Sequence, residues 1–299
     1  VEIAICIPTY KRKELLSKLL DSIERQDLST EAKKSLTVIV IDNDEKKSAS
    51  WVLENKAYSF NLVYVSEPRK GLATVRNRAI KEAMKFAEYI LFVDDDEWVV
   101  PNWVNSMLET CTSYNADVVS GPVVPVYPDG VSDWIVKGGF FERKRFTTGQ
   151  DSGVTRTGNI LFKTSVLKEQ ESLFAEELNL IGGEDSHFLT RLYRQGKKMV
   201  WCDEALAYEP VPKERATISW LKLRFFRIGC TGVIYRNMID SSIKNKMLSL
   251  SKTILLIVIS ITTLPAVFIP KKRIQWILQW EKVKGRINAH TGGVYNEYQ

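Results

Sequence analysis

The 299-residue chain reads as an α/β protein, a mostly parallel central sheet flanked by helices, followed by a basic, apolar helical C-terminal segment. Three observations predict this. Short apolar runs alternate with helical periods up to about residue 120. One run, Tyr89–Val93, ends abruptly in four acids, Asp94, Asp95, Asp96 and Glu97. Residues 211–299 hold 15 Lys/Arg against 4 Asp/Glu and include the longest apolar stretch.

The elements follow in order. Residues 2–7 form a strand that Pro8-Thr9-Tyr10 ends, and 11–26 show a helical period through Leu15, Leu16, Leu19, Leu20 and Ile23. Residues 36–41 make a second strand, closed by Asp42-Asn43-Asp44. A helix is expected over 48–58, a third strand over 62–65, a helix from Leu72 to about Phe86, then the strand before the acids. Pro101-Asn102-Trp103 opens a helix through Cys111, and 117–120 is a short strand. Residues 121–157, rich in Gly, Pro and charge, are expected as a mobile loop with flexible points at Gly138-Gly139 and Gly149. Thr157-Gly158-Asn159 enters another strand, and Gly182-Gly183 precede Glu184 and Asp185 at a helix N-terminus, where acids favour the helix dipole. Such alternation implies right-handed crossovers between parallel strands.

Four carboxylates at the end of a buried strand repel one another unless a cation joins them. Two or three oxygen ligands suit a hard ion such as Mg²⁺ or Mn²⁺. In an open α/β sheet that end is also the ligand crevice. No GxGxxG or GxxxxGK[ST] follows the first strand, which disfavours a dinucleotide fold and a P-loop ATPase. Phosphates would then be neutralised by a metal at Asp94–Asp96 and by cations such as Arg76. The four cysteines (Cys6, Cys111, Cys202, Cys230) form no CxxC pair and read as buried thiols in a reducing compartment. No signal-peptide pattern precedes the first strand, and Val1 in place of Met leaves room for residues upstream.

Pro8-Thr9-Tyr10, the strand ending at Asp42, the Leu72–Arg76–Asn77 stretch, Asp94-x-Asp96, Gly158-Asn159 and Glu184-Asp185 followed by Arg191 stand in an order and spacing that resembles the family 2 nucleotide-sugar glycosyltransferases over roughly residues 2–215. Residues 205–299 further resemble membrane-associated bacterial members that build exopolysaccharide or lipopolysaccharide. The resemblance implies a GT-A (Rossmann-like) catalytic domain over 1–212, with a nucleotide-binding half at 1–120 and an acceptor half at 121–212. Residues 213–299 would be a membrane-associating region. It implies nucleotide contacts from Pro8, Thr9, Tyr10, Asp42, Arg76, Asp94 and Asp95. Asp96 would be the metal ligand, and Glu209 the candidate replacement for a histidine that some relatives place there. Gly158, Asn159, Glu184 and Arg191 would lie on the sugar or acceptor side, and Asp185 would be the general base. His187 is either a contact to acceptor or phosphate or a structural helix residue.

The implied reaction is inverting transfer from a nucleoside-diphosphate sugar, UDP being the family's commonest donor nucleotide, with Mn²⁺ or Mg²⁺, to a lipid-linked or saccharide acceptor. A sugar-nucleotide pyrophosphorylase would want a Gly- and Arg/Lys-rich loop after the first strand. A catalytically inactive membrane scaffold would not need its carboxylates intact. The tail points to a membrane rather than nucleic acid. Residues 213–240 mix Trp220, Phe225 and Phe226 with Arg215, Lys222, Arg224 and Arg227. Residues 253–269 are nearly all apolar but short for a span, broken by Pro265 and basic on both flanks. An in-plane or re-entrant segment on the cytoplasmic face of a bacterial inner membrane is therefore expected, with a second interfacial helix over 274–287.

Overall fold

Runs rich in β-branched residues and bounded by turn formers become strands. In the computed structural model, which describes residues 1–54 and 57–295, the first half of the chain gives β1 (Ile3–Thr9), α1 (Lys13–Glu24), α2 (Thr30–Lys34), β2 (Leu36–Asp42), β3 (Asn61–Ser66), α3 (Leu72–Ala83) and β4 (Tyr89–Val93). Helix α1 turns Leu16, Leu19, Leu20 and Ile23 inward, as their spacing requires. The short α2, unforeseen, is capped by Ser29, whose hydroxyl accepts from Ala32 N at 3.2 Å. The helix expected over 48–58 is only a 3₁₀ turn at Ser50–Leu53, and residues 55 and 56 of that span lie outside the described residues. The Asp42 carboxylate accounts for the difference by drawing in the amides of Asp44 (2.9 Å) and Ala49 (2.7 Å) before a helix can start.

The chain continues as β5 (Trp98–Val99), α4 (Trp103–Ser113), β6 (Val118–Ser120), β7 (Val123–Val126), α5 (Asp133–Gly138), β8 (Asn159–Lys163), α6 (Thr164–Lys168), α7 (Glu184–Arg194), β9 (Met199–Trp201) and β10 (Ala207–Pro210). Thus the stretch 121–157 carries a strand and a helix of its own. The main sheet runs β3-β2-β1-β4-β8-β6-β9. It is parallel except at β8, which is antiparallel to both β4 and β6. A small second sheet, β5-β10-β7, returns the chain to the end of β4. Register aligns Thr9 with Asp42 and Asp42 with Ser66, so three strands end at one level. Each face of the main sheet is covered by its own apolar cluster, one around Leu16, Trp103 and Met107, the other around Ile80, Phe92, Phe162 and Phe188.

The chain divides into two compact units. The first holds Val1–Val126, Phe141–Asn179 and Glu184–Pro210, hence both sheets. The second holds Tyr127–Phe140, Leu180–Gly183 and Val211–Gln299. Besides the short α5, it holds α8 (Ile218–Ile239), α9 (Ile243–Thr262) and α10 (Pro270–His290), with a 3₁₀ turn at Leu264–Phe268 between the last two. Helices α8 and α10 approach backbone to backbone at two glycines. A Cβ on Gly229 would fall inside van der Waals contact of Lys282 O, and one on Gly285 inside contact of Phe226 O. Small residues permit such close crossings. Gly285→Ala should therefore destabilise the second unit by roughly 1–3 kcal/mol, the usual cost of overpacking. Chemical denaturation monitored by tryptophan fluorescence would show it as a lowered midpoint.

Candidate active site

The acids after β4 fold into a tight reciprocal turn. Glu97 N donates to Asp94 O at 3.0 Å, and Asp94 N donates to Glu97 Oε2 at 3.2 Å. The turn points Glu97 inward, where it is 1% exposed and Oε1 has no hydrogen-bond partner among the described residues. Burial, with Asp94 beside it, raises the Glu97 carboxyl well above the ordinary range. Gly158, at the entry to β8, closes the other side. A Cβ there would lie 2.8 Å from Glu97 Oε1 and 3.0 Å from Asp94 Oδ2. Asp94 is raised too, by desolvation first, with the Arg76 guanidinium pulling it back.

Four arginines surround this charge. Arg76, on α3 and nearly fully buried, pairs with Glu184 Oε1 through Nη1 and lies 3.5 Å from Asp94 Oδ1 through Nη2. It thereby ties the acid turn to the first turn of α7. Burial raises Glu184 despite this pairing. Arg12, unforeseen from the sequence, bridges Asp95 Oδ1 and Asp96 Oδ2, both at 2.8 Å. Asp95 also accepts from Thr9 Oγ1 at 2.8 Å and Tyr10 N at 3.4 Å, and burial still pushes its carboxyl up to about 6. Arg143, also unforeseen, donates to Glu209 Oε2 at 2.8 Å. Arg156 lies in the fields of Asp185, Glu209 and Asp94. Arg12 follows the first predicted strand, but that this strand lies beside β4 is a property of the folded sheet that no local pattern carried. Arg143 and Arg156 sit in a stretch with no periodicity, which gave no signal.

The structure separates the sequence-predicted residues into two groups. Asp94, Asp95, Asp96, Arg76, Thr9, Gly158, Glu184 and Asp185 converge on the end of β4. Asp185 is half-buried; its Oδ1 accepts from Ser186 N at 2.6 Å, and Oδ2 has no donor among the described residues. Tyr10 stands largely exposed beside them. The second group lies in or against the surrounding backbone and side chains. Asp42 is fully buried and accepts from Tyr64 Oη at 3.0 Å besides the two amides above. Pro8 is a buried residue of β1. Asn159 accepts from Trp103 Nε1 at 2.8 Å and donates to Pro122 O at 2.9 Å and Ala205 O at 2.7 Å, knitting β8 to the segments on either side of it. Arg191 donates to Leu173 O and Ser172 O. His187 is buried on α7, its Nδ1 without a partner among the described residues.

Among the described residues no group of three or more His, Cys, Asp or Glu is arranged to hold a metal, and Glu209 forms an ion pair with Arg143. The donor set still fits one kind of ion. Mg²⁺ and Mn²⁺ are commonly held by one or two carboxylates plus substrate phosphates, not by all-protein cages. Asp94 and Asp96 supply hard oxygens, and a cation, Arg12, already rests on Asp96.

Two outcomes follow from this geometry. Gly158→Ala should press on both Asp94 and Glu97 and destabilise the first unit by roughly 1–3 kcal/mol, the usual cost of overpacking, as a lowered midpoint in chemical denaturation would show. His187 should titrate below its usual value near 6.5 because burial, then Arg191, disfavours its charged form. With a depressed folded value, its contribution to stability is present above about pH 6.5 and lost on acidification below it. NMR of ¹⁵N-histidine-labelled protein would measure that midpoint.

Comparison with known proteins bears on this arrangement. Residues 4–170, more than half of the chain, match the family described as Glycosyl transferase family 2. The succinoglycan biosynthesis protein ExoM of Rhizobium meliloti (strain 1021) is 31% identical over 233 residues, 77% of this chain and 73% of that protein. A poly(ribitol-phosphate) beta-glucosyltransferase of Bacillus spizizenii is 30% identical over 208 residues, 67% of this chain but only 30% of that longer protein. Among solved structures, S. aureus TarS 1–349 in complex with UDP superposes with a TM-score of 0.57 at 18% identity, over 98% of this chain and 91% of that one. The mannosyltransferase PcManGT from Pyrobaculum calidifontis, in complex with GDP-Man and Mn²⁺, gives 0.62 at 16% identity, over 96% and 86%. At such identities the structures speak for the fold, and the family match speaks for descent: the chain belongs to glycosyl transferase family 2 and has its GT-A fold.

Proposed function

We propose that the chain transfers a sugar, with inversion, from a nucleoside-diphosphate sugar to a saccharide or lipid-linked acceptor in bacterial polysaccharide assembly, and that UDP is the nucleotide. The convergence of Asp94, Asp96, Arg76, Glu184 and Asp185 around Gly158 carries the reading. The names of the relatives, which concern succinoglycan biosynthesis and glucosyl transfer to poly(ribitol-phosphate), support the pathway class. UDP in one structural neighbour and GDP-Man with Mn²⁺ in another support a nucleotide-sugar donor and a divalent ion.

The chemistry follows from the side chains. Asp185 takes the proton of the acceptor hydroxyl as that oxygen attacks the anomeric carbon. The new C–O bond forms opposite the bond to phosphate, which breaks with its electron pair on the diphosphate. An α-linked donor thus gives a β-linked product. Arg76 holds Asp94 and Glu184 in fixed relation, which sets the distance between the nucleotide side and the base side. A divalent ion on Asp96, with Asp94 beside it, would act as a Lewis acid toward the leaving diphosphate. Asp185→Asn should cut transfer roughly 100- to 10,000-fold while UDP binding persists. Calorimetric titration with UDP, with and without Mn²⁺, should show metal-dependent binding that Asp96→Ala loses. A folded protein that binds no nucleoside diphosphate refutes the transferase reading, and one that binds UDP and Mn²⁺ yet never turns over is a scaffold.

The second unit supports membrane association in the plane of the interface. Helix α9 is inside out for a helix in water. Ser249, Thr253 and Ser260 are its buried residues, while Met247, Ile254, Leu255, Val258 and Ile261 are exposed. The inward polar groups are matched from α10: Arg286 donates to Thr253 Oγ1 and Ser249 O, both at 2.9 Å, and Trp276 Nε1 donates to Ser260 O at 2.8 Å. Among the described residues helix α9 alone is long and apolar enough to cross a bilayer. Its antiparallel partner carries Lys272, Arg273, Glu281, Lys282, Lys284 and Arg286 along its length, so the pair would not cross together. Lys244, Lys246 and Lys252 on α9 add attraction to anionic headgroups. The protein should co-float with vesicles containing phosphatidylglycerol, and Leu255→Glu with Val258→Glu should abolish flotation without altering UDP binding. Wild-type protein that stays in the soluble fraction refutes this mode of association.

A further inference from the structure

Beyond the end of β1, one side chain that the proposed reaction leaves idle reaches the acid cluster. Arg12 Nη1 donates to Asp95 Oδ1 and Asp96 Oδ2 at 2.8 Å each. The two carboxylates depend on it unequally. Asp95 has Thr9 Oγ1 and Tyr10 N as further donors. Asp96 has no other hydrogen-bond or ion-pair partner among the described residues. The contact is also poised at the surface, since the Asp96 side chain is 14% exposed and that of Arg12 is 38% exposed.

We propose that Arg12 is the resident counter-cation of Asp96, and that a divalent ion must displace it from that carboxylate in order to bind. This rests on the reading of Asp96 as the metal-binding carboxylate. An ion ligated at Asp96 sits about 2.0–2.2 Å from its oxygen. A guanidinium kept at hydrogen-bond distance from the same carboxylate would then lie within about 5 Å of a double positive charge, where like charges repel even at the effective dielectric of a protein surface. Arg12 can leave Asp96 without leaving the site, because Asp95 still anchors it. A nucleoside diphosphate offers the displaced guanidinium and the ion new oxygen partners at once. Metal alone therefore binds weakly, and metal with nucleotide binds strongly, each raising the affinity of the other by the same factor.

The test is Mn²⁺ titration followed by electron paramagnetic resonance on the full chain, without nucleotide and with saturating UDP. Wild-type protein should bind Mn²⁺ weakly alone and tighter with UDP. Arg12→Gln should bind Mn²⁺ alone about fivefold tighter than wild type, the scale of one partly exposed ion pair. Lys11→Gln removes an equal charge one residue earlier, but that ammonium lies 3.8 Å from Asp44, and its Mn²⁺ affinity should stay within about twofold of wild type because exposed charges are screened. Equal affinities in wild type and a natively folded Arg12→Gln overturn the proposal while leaving the metal reading intact. So does equal tightening in Lys11→Gln, which would make the effect one of net charge. Should Arg12→Gln fail to fold, wild type decides: Mn²⁺ binding that UDP does not strengthen overturns the displacement. Protein that binds UDP but no Mn²⁺ overturns the metal reading and this proposal together.

Discussion

Mutual repulsion among the carboxylates that follow β4 is the constraint from which the rest of this structure takes its form. Asp94 to Glu97 leave a fully buried strand at the level where the neighbouring strands end. Left unbalanced, four ionised groups there would cost more than one small domain's stability allows. The fold answers in three ways. Arg12 comes from the segment after β1, Arg76 comes from α3, and burial keeps Glu97 toward its protonated form.

These answers also fix the geometry of the candidate site. A buried pair such as Arg76–Glu184 gives little net stability against burial of the isosteric apolar pair, because desolvation offsets the attraction. Its consequence here is positional. One guanidinium contacts the turn after β4 and the start of α7, elements far apart in sequence, so it sets the spacing between Asp94 and the first turn of α7 that carries Asp185. The antiparallel β8 contributes the missing small residue. Only a glycine at position 158 leaves the acid turn its space. Asn159 beside it uses every polar atom of its side chain to hold β8 against Trp103, Pro122 and Ala205, so the rigidity of the glycine's position comes from its neighbour.

The helical unit follows the opposite logic. In the first unit charge is brought inward and neutralised. In the second, α9 turns its few polar groups inward to Arg286 and Trp276 and presents its apolar side outward. An arrangement that is unfavourable in water would be favoured against acyl chains, as the proposed membrane association requires.

The alternating strands and helices, the acids after β4, the glycine before β8 and the helix start at Glu184 were legible in the order of residues. Each is a local pattern: an apolar period, a charge run, or a residue with one conformational use. So was the basic, greasy character of the tail. Which of those residues meet is settled by the packing of distant segments. That packing made β8 antiparallel, since residue pattern says little about strand direction, and it enclosed Asp42 and Arg191 in their own backbone contacts, because hydrogen bonding to nearby amides and carbonyls leaves no periodic trace. It supplied Arg12 and Arg143, cations whose partners lie 66 to 84 residues away. It also turned the polar stripe of α9 inward. Charge neutralisation acts through space over a few ångströms, and the order of residues along a chain does not encode which distant carboxylate an arginine will reach.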